Sequence, residues 1–365
     1  METAVLFTVA LFLAYANGAN DNAKGVATLY GSGVLGYRAA LTLAALATFA
    51  GGIAALFLAQ GLVAGFSGKG LVAPETAASP AFAAAVGSGA AATVGLATRL
   101  GLPVSTTHAL VGGLLGAGLL APGPVAWSHL GGVFLLPLLV SPFLAGGLGL
   151  LVYRLLPRGV SRGAEGGCLC LEAEVVPAGP SARRRVWPGL RLGRWEVCRR
   201  RPGVFWAGRL PPPGDGVHVL SAAAVSFGRG LNDTPKIAAL LLLAPAPGPV
   251  WGMTAVAVGM ALGGLLAARR VGTTLGWRIT PLDRDQGRAA SLATAALVLS
   301  AGGLALPVST THVSVGALWG IGLWRGEACH RVLRGIVLAW FVTLPLALVL
   351  SALASLLFST TGIAG

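Results

Sequence analysis

Charge is scarce in this chain: 10% of its 365 residues are Asp, Glu, Lys or Arg, against 55% hydrophobic. A soluble domain carries roughly 25% charged residues, so that class is excluded and an integral membrane protein is implied. Acidic residues are scarcest, 12 against 26 basic, and the formal charge is +14. In a soluble protein this excess would point to nucleic acid, but the arginines lie between apolar runs, most densely from Arg154 to Arg209. They report topology; Trp187, Trp195 and Trp206 interleave with them without forming a recognisable base-stacking module, so nucleic acid is not expected as a partner. The four cysteines are Cys168, Cys170, Cys198 and Cys329, with no C-x-x-C pair to hold a metal and two of them too close for an easy mutual bridge. Reduced thiols are expected. No basic stretch precedes Ala14-Tyr15-Ala16, so this signal-peptidase-like segment is read as retained.

What the chain does have is apolar length, glycine (55 residues) and internal repetition. Runs of about 20 apolar residues, enough for a membrane span, extend from about residue 3 to 29, 37 to 66, 81 to 100, 103 to 120 and 129 to 156. Five more run from about 217 to 244, 250 to 268, 289 to 304, 308 to 323 and 332 to 358. Between the two sets lies a hydrophilic, Arg-, Pro- and Gly-rich stretch. The expected division is therefore 1–156 as a first membrane repeat, 157–216 as a cytoplasmic insert, linker-like or poorly ordered, and 217–365 as a second repeat. An odd number of segments per half inverts the second half relative to the first. With the N-terminus outside, Arg38, Arg99, the insert, Arg269, Arg270, Arg278, Arg284, Arg288, Arg325, Arg331 and Arg334 all fall on the cytoplasmic face. The outer loops then carry only Lys69 and Glu75, and Glu75 reads as surface. The expected fold is an all-α polytopic membrane protein of two inverted repeats, with broken helices or re-entrant hairpins at the midplane.

Two motifs carry the chemistry, each present once per half and in the same order. Asn20-Asp21-Asn22-Ala23-Lys24, after Gly18, returns as Asn232-Asp233-Thr234-Pro235-Lys236, after Gly230. An ionised Asp at a bilayer centre costs about 2.5–3.5 kcal/mol, so each carboxylate needs a partner. The glycines are expected to let the helices break, bringing Asp21 and Asp233 together at the interface of the repeats. Leu102-Pro103-Val104-Ser105-Thr106-Thr107-His108 is repeated without change as Leu306-Pro307-Val308-Ser309-Thr310-Thr311-His312. Each proline marks a break from which a new helix starts. A helix N-terminus offers free N–H groups and partial positive charge, so two such ends with six hydroxyls could cradle a tetrahedral anion. A serine followed by a histidine invites an intramembrane serine hydrolase using Ser105 or Ser309, but the whole constellation is duplicated and a hydrolase needs one nucleophile, which counts against it. Gly31-x-Gly33-x-x-Gly36 imitates a dinucleotide fingerprint but follows a membrane segment instead of a strand, and is set aside.

These two motif pairs, in this order and with a hydrophilic insert between the halves, resemble the inorganic phosphate transporter (PiT) family of secondary carriers. The resemblance implies two inverted repeats, a substrate site built from both, import of inorganic phosphate with a coupling proton or sodium ion, and a homodimer. By motif, Ser105, Thr106, Thr107, Ser309, Thr310 and Thr311 would bind substrate together with Asn20, Asn232, Lys24 and Lys236. Asp21, Asp233 and Asn22 would serve the coupling cation or proton. No catalytic residue and no cofactor are expected beyond a possible sodium site at Asp21 and Asp233. The sequence departs from the sodium-coupled pattern at Lys24 and Lys236, where each ammonium would supply the charge of a sodium ion. Sulfate is the alternative substrate. Phosphate is favoured because it carries a proton that Asp21 or Asp233 could accept, whereas fully ionised sulfate disfavours nearby carboxylates.

Overall fold

The computed structural model describes residues 2–157, 167–176, 185–194, 204–209, 212–241 and 248–360. Helix α1 (Glu2–Gly31) carries the first Asn-Asp motif, and α2 (Tyr37–Leu58) continues past Ala59 as α3 (Gln60–Phe66). After the short α4 (Pro74–Ala77), α5 (Pro80–Leu100) and α6 (Thr106–Leu120) form a hairpin, and α7 (Trp127–Leu155) closes the first half. A π-type turn, Leu130–Leu135, lies within α7. The second half comprises α8 (Pro213–Ala238), α9 (Pro249–Ala267), α10 (Arg269–Trp277), α11 (Arg284–Gly303), α12 (Thr310–Arg325) and α13 (His330–Thr360). Five of these helices are long and apolar enough to cross a membrane: α2, α5, α7, α9 and α13. The chain is a multi-pass membrane protein.

Three expectations are corrected. First, α1 and α8 run unbroken through their Asn-Asp motifs. Gly18 and Gly230 serve close approach instead: a Cβ at Gly18 would lie 1.9 Å from the Met260 carbonyl oxygen, and one at Gly230 would lie 2.1 Å from that of Thr48. Only a missing side chain lets α1 touch α9, and α8 touch α2, this closely. The one local interruption is Pro235, which cannot donate to the Leu231 carbonyl. Second, the hydrophilic stretch holds an antiparallel sheet of β1 (Gly167–Val176), β2 (Arg185–Arg194) and β3 (Val204–Arg209) in the order β2-β1-β3. Trp195 and Cys198 lie outside the described residues, Cys170 is buried, and Cys329 is exposed. Third, α8 starts at Pro213, inside the stretch expected to be insert, and the polar α10 occupies what reads as a loop. Lys69 and Glu75 are exposed, as their loop suggests.

The halves interlock with roles exchanged. Helix α1 packs on α9 and α5, while α8 packs on α2 and α11. The hairpin α5/α6 rests on α13 of the other half, and α11/α12 rests on α7. Glycines set both hairpin contacts, Gly116 against the Leu348 carbonyl and Gly320 against that of Gly146. At the end of the molecule where the halves join, Arg284 donates to Asp215 (2.8 Å) and Arg288 donates to the Pro157 carbonyl (2.9 Å).

Candidate functional site

The hairpin turns are built alike. Helix α5 ends at Gly101 in a left-handed conformation (φ 71°), and Ser105 caps α6 by accepting the His108 backbone N–H at 3.1 Å. In the second hairpin Ala305 takes the equivalent left-handed position (φ 54°), and Ser309 caps α12 by accepting the His312 N–H at 3.3 Å. Capping uses the serine oxygens, so neither serine is paired with an imidazole. The two rings face each other instead, with centroids 4.6 Å apart, and His312 Nδ1 lies 2.9 Å from the Leu138 carbonyl.

The two helix N-termini meet. Thr311 Oγ1 donates to the Val104 carbonyl at 2.7 Å, and Thr107 Oγ1 donates to the Val308 carbonyl at 3.4 Å. Each lysine bridges its own aspartate to both turns. Lys24 Nζ donates to Asp21, to Thr311 and, at 2.6 Å, to the Val104 carbonyl. Lys236 Nζ donates to Thr107 Oγ1 (3.0 Å), the Val308 carbonyl (3.0 Å) and Asp233 Oδ1 (3.4 Å). Lys24 and Lys236 thus occupy corresponding places between carboxylate and helix end, and both are buried.

Asn17 ties the aspartates together. Its Nδ2 lies 3.3 Å from Asp21 Oδ2, 3.2 Å from Asp233 Oδ2 and 2.9 Å from Thr106 Oγ1. Two protons are shared among three acceptors, and the remaining amide oxygen accepts from Arg229 at 2.9 Å. Carboxylates only accept and a guanidinium only donates, so this amide orientation is fixed by its neighbours. Arg229, fully buried (0% exposed), also donates to Asn22 Oδ1 at 3.1 Å and to Thr48 Oγ1 at 2.8 Å.

Of the residues the sequence singles out, Asp21, Asp233, Lys24, Lys236, Thr106, Thr107 and Thr311 come together here. Asn20 stands off: its Nδ2 donates to Thr98 and the Leu102 carbonyl, and its Oδ1 accepts the Val104 N–H, so it pins the first turn. Asn232 similarly bonds Gly228 and Val298. Asn22 faces Arg229 and Thr48, away from both aspartates, while Thr310 is buried at the start of α12. Sequence inspection passes over Asn17, Thr48 and Arg229. The available signal is an arginine within an apolar run, three residues before Asn232.

The chain is similar to known proteins over nearly its whole length. The model of the family described as "Phosphate transporter family" covers residues 17–192 and 195–351. A Rhizobium meliloti protein named "Probable low-affinity inorganic phosphate transporter" is 31% identical, over 95% of this chain and 94% of its own length. A Thermococcus kodakarensis protein carrying the name of a phosphate permease is 29% identical over 95% of each chain. A solved structure titled "The sodium-dependent phosphate transporter" has the same fold, with a TM-score of 0.76 and 22% identity over 98% of this chain and 99% of that one. The sequence match over nearly the whole length, on a fold that gathers both motif pairs around two buried carboxylates, places this chain in the phosphate transporter family, as a membrane transporter of inorganic phosphate and not an enzyme.

Proposed function

We propose that inorganic phosphate binds where α6 and α12 meet and is carried by alternating access between two repeats of inverted topology, coupled to proton movement. The observation that supports this most directly is the pair of lysines held between the aspartates and the facing helix ends. Three buried cations (Lys24, Lys236, Arg229) and two carboxylates (Asp21, Asp233) leave one positive charge uncompensated. A monovalent phosphate neutralises that charge, whereas divalent sulfate overshoots it. The incoming oxyanion would take the ammonium groups from the Val104 and Val308 carbonyls and accept from Thr107, Thr311 and the free N–H groups of the two first turns. Asp21 and Asp233, released from part of their pairing, are then available to accept a proton. This coupling rests on the ammoniums standing where a mobile cation would otherwise balance each carboxylate.

The arginine distribution supports an external N-terminus and a cytoplasmic β1–β3 segment, and the family resemblance carries a homodimer. Exchange of the hairpins' packing partners between halves supports the inverted arrangement. The deciding experiment is uptake of radiolabelled phosphate into proteoliposomes, with sodium and proton gradients imposed separately and unlabelled sulfate as competitor. Uptake driven by a proton gradient in choline buffer is expected. Uptake only with sodium would overturn the coupling, and transport of sulfate in preference to phosphate would overturn the substrate.

A further inference from the structure

We propose that Arg229 is a tethered counter-cation: its guanidinium fills an oxygen-lined nest between the halves that could otherwise take an alkali-metal ion, so the carrier cycles without sodium there. This rests on the transport reading above and adds a residue and a location to it. The nest consists of Asn17 Oδ1, Asn22 Oδ1 and Thr48 Oγ1, at 2.9, 3.1 and 2.8 Å from the guanidinium nitrogens. These are neutral oxygens, the hard donors that alkali and alkaline-earth cations take. Two carboxylates lie one amide away, since Asn17 Nδ2 bonds both Asp21 and Asp233. Asn22 turns its oxygen to the nest at the expense of its own Nδ2, which is buried without a partner. That orientation is the one a cation imposes.

Comparison of the two halves strengthens the assignment. Aligning the Asn-Asp motifs sets Asn17 against Arg229, Asn22 against Thr234 and, through the matching glycine contacts, Thr48 against Met260. The second-half counterpart therefore has a hydroxyl 3.6 Å from a thioether, Thr234 Oγ1 to Met260 Sδ, and no amide oxygen at position 229 or 234. A thioether is a poor ligand for a hard cation. The oxygen-rich nest exists on one side alone, and the other half sends its arginine across to fill it. A sodium ion would have to displace a fixed positive charge, so the residues at this place do not fit a resident sodium.

The test uses the full chain in lipid nanodiscs and in proteoliposomes, with radiolabelled sodium binding and thermal stability as readouts beside phosphate uptake. Wild-type protein is expected to show no saturable sodium binding and the same melting temperature in sodium as in choline chloride. Arg229→Asn, which removes the charge and restores the residue found at position 17, is expected to bind sodium saturably, to be stabilised by it, and to take up phosphate several-fold faster with sodium than with choline. Arg229→Lys is expected to stay sodium-insensitive. Saturable sodium binding by the wild type that Thr48→Val abolishes would overturn the proposal, and so would a folded Arg229→Asn protein that remains blind to sodium. Should Arg229→Asn fail to fold, the wild-type binding measurement still decides. Absence of phosphate uptake by wild-type protein would instead count against the transport reading, and the binding arm separates the two failures.

Discussion

Replacing Asp233 by Asn, Lys236 by Met, and both together would separate what their ion pair does for the fold from what it does for the substrate. At 3.4 Å and an effective dielectric constant of about 20, the attraction between the charges is about 5 kcal/mol. Desolvation opposes it by several kcal/mol, so the intact pair adds little net stability, yet removing one partner strands the other charge and costs about 3–5 kcal/mol. Lys236 stranded by Asp233→Asn keeps Thr107 Oγ1 and the Val308 carbonyl, both at 3.0 Å. That cost falls at the lower end of the range, about 3 kcal/mol. Asp233 stranded by Lys236→Met keeps the Asn17 amide at 3.2 Å, and its cost is similar. Each single variant should melt several degrees below wild type in detergent, as read by size-exclusion chromatography after heating. The double variant should recover most of that loss, since a paired charge replaced by neutral groups of similar volume is close to neutral for stability. Phosphate uptake should be lost in all three. Single variants as stable as wild type, or a double variant that still transports, would refute the reasoning.

Gly18→Val puts a side chain where even a Cβ would be 1.9 Å from the Met260 carbonyl oxygen. The α1–α9 crossing must open, with a loss of about 1–3 kcal/mol or more, visible as a lower melting temperature. Ala305→Gly relieves a left-handed alanine (φ 54°), worth about 1–2 kcal/mol before the entropy of glycine takes back about 0.5–1 kcal/mol; a small rise in melting temperature is expected. Ser105→Ala and Ser309→Ala each remove a helix cap at about 1 kcal/mol. With the first turns loosened, the KM for phosphate should rise in uptake assays more than the maximal rate falls.

The seven-residue repeat Leu-Pro-Val-Ser-Thr-Thr-His was enough to locate both hairpin turns and both helix starts, because proline, a capping serine and free N–H groups act locally. Lys24 and Lys236 were legible too, since a lysine three residues after a buried aspartate can reach it along a helix. Glycine was ambiguous: at positions 18 and 230 it suits a break and a close helix crossing equally, and the neighbouring helix decides. The strands between the halves were hidden by arginines and prolines that obscure any period of two. Arg229 escaped because motif matching rewards identity, and this is a position where the two copies differ. Its role depends on three oxygens from α1 and α2, which sequence spacing does not bring together.

The bond from Arg229 to Asn17 also has a genealogical consequence. Positions 17 and 229 correspond in the two copies of one motif, and they touch each other. In an assembly of two identical halves both positions would carry the same residue, giving either two amides or two guanidiniums in contact. One of each requires two copies that have diverged in sequence. The copies have since become complementary, so neither can stand in for the other. A chain built from two first halves would lack the guanidinium, and one built from two second halves would set two like charges face to face.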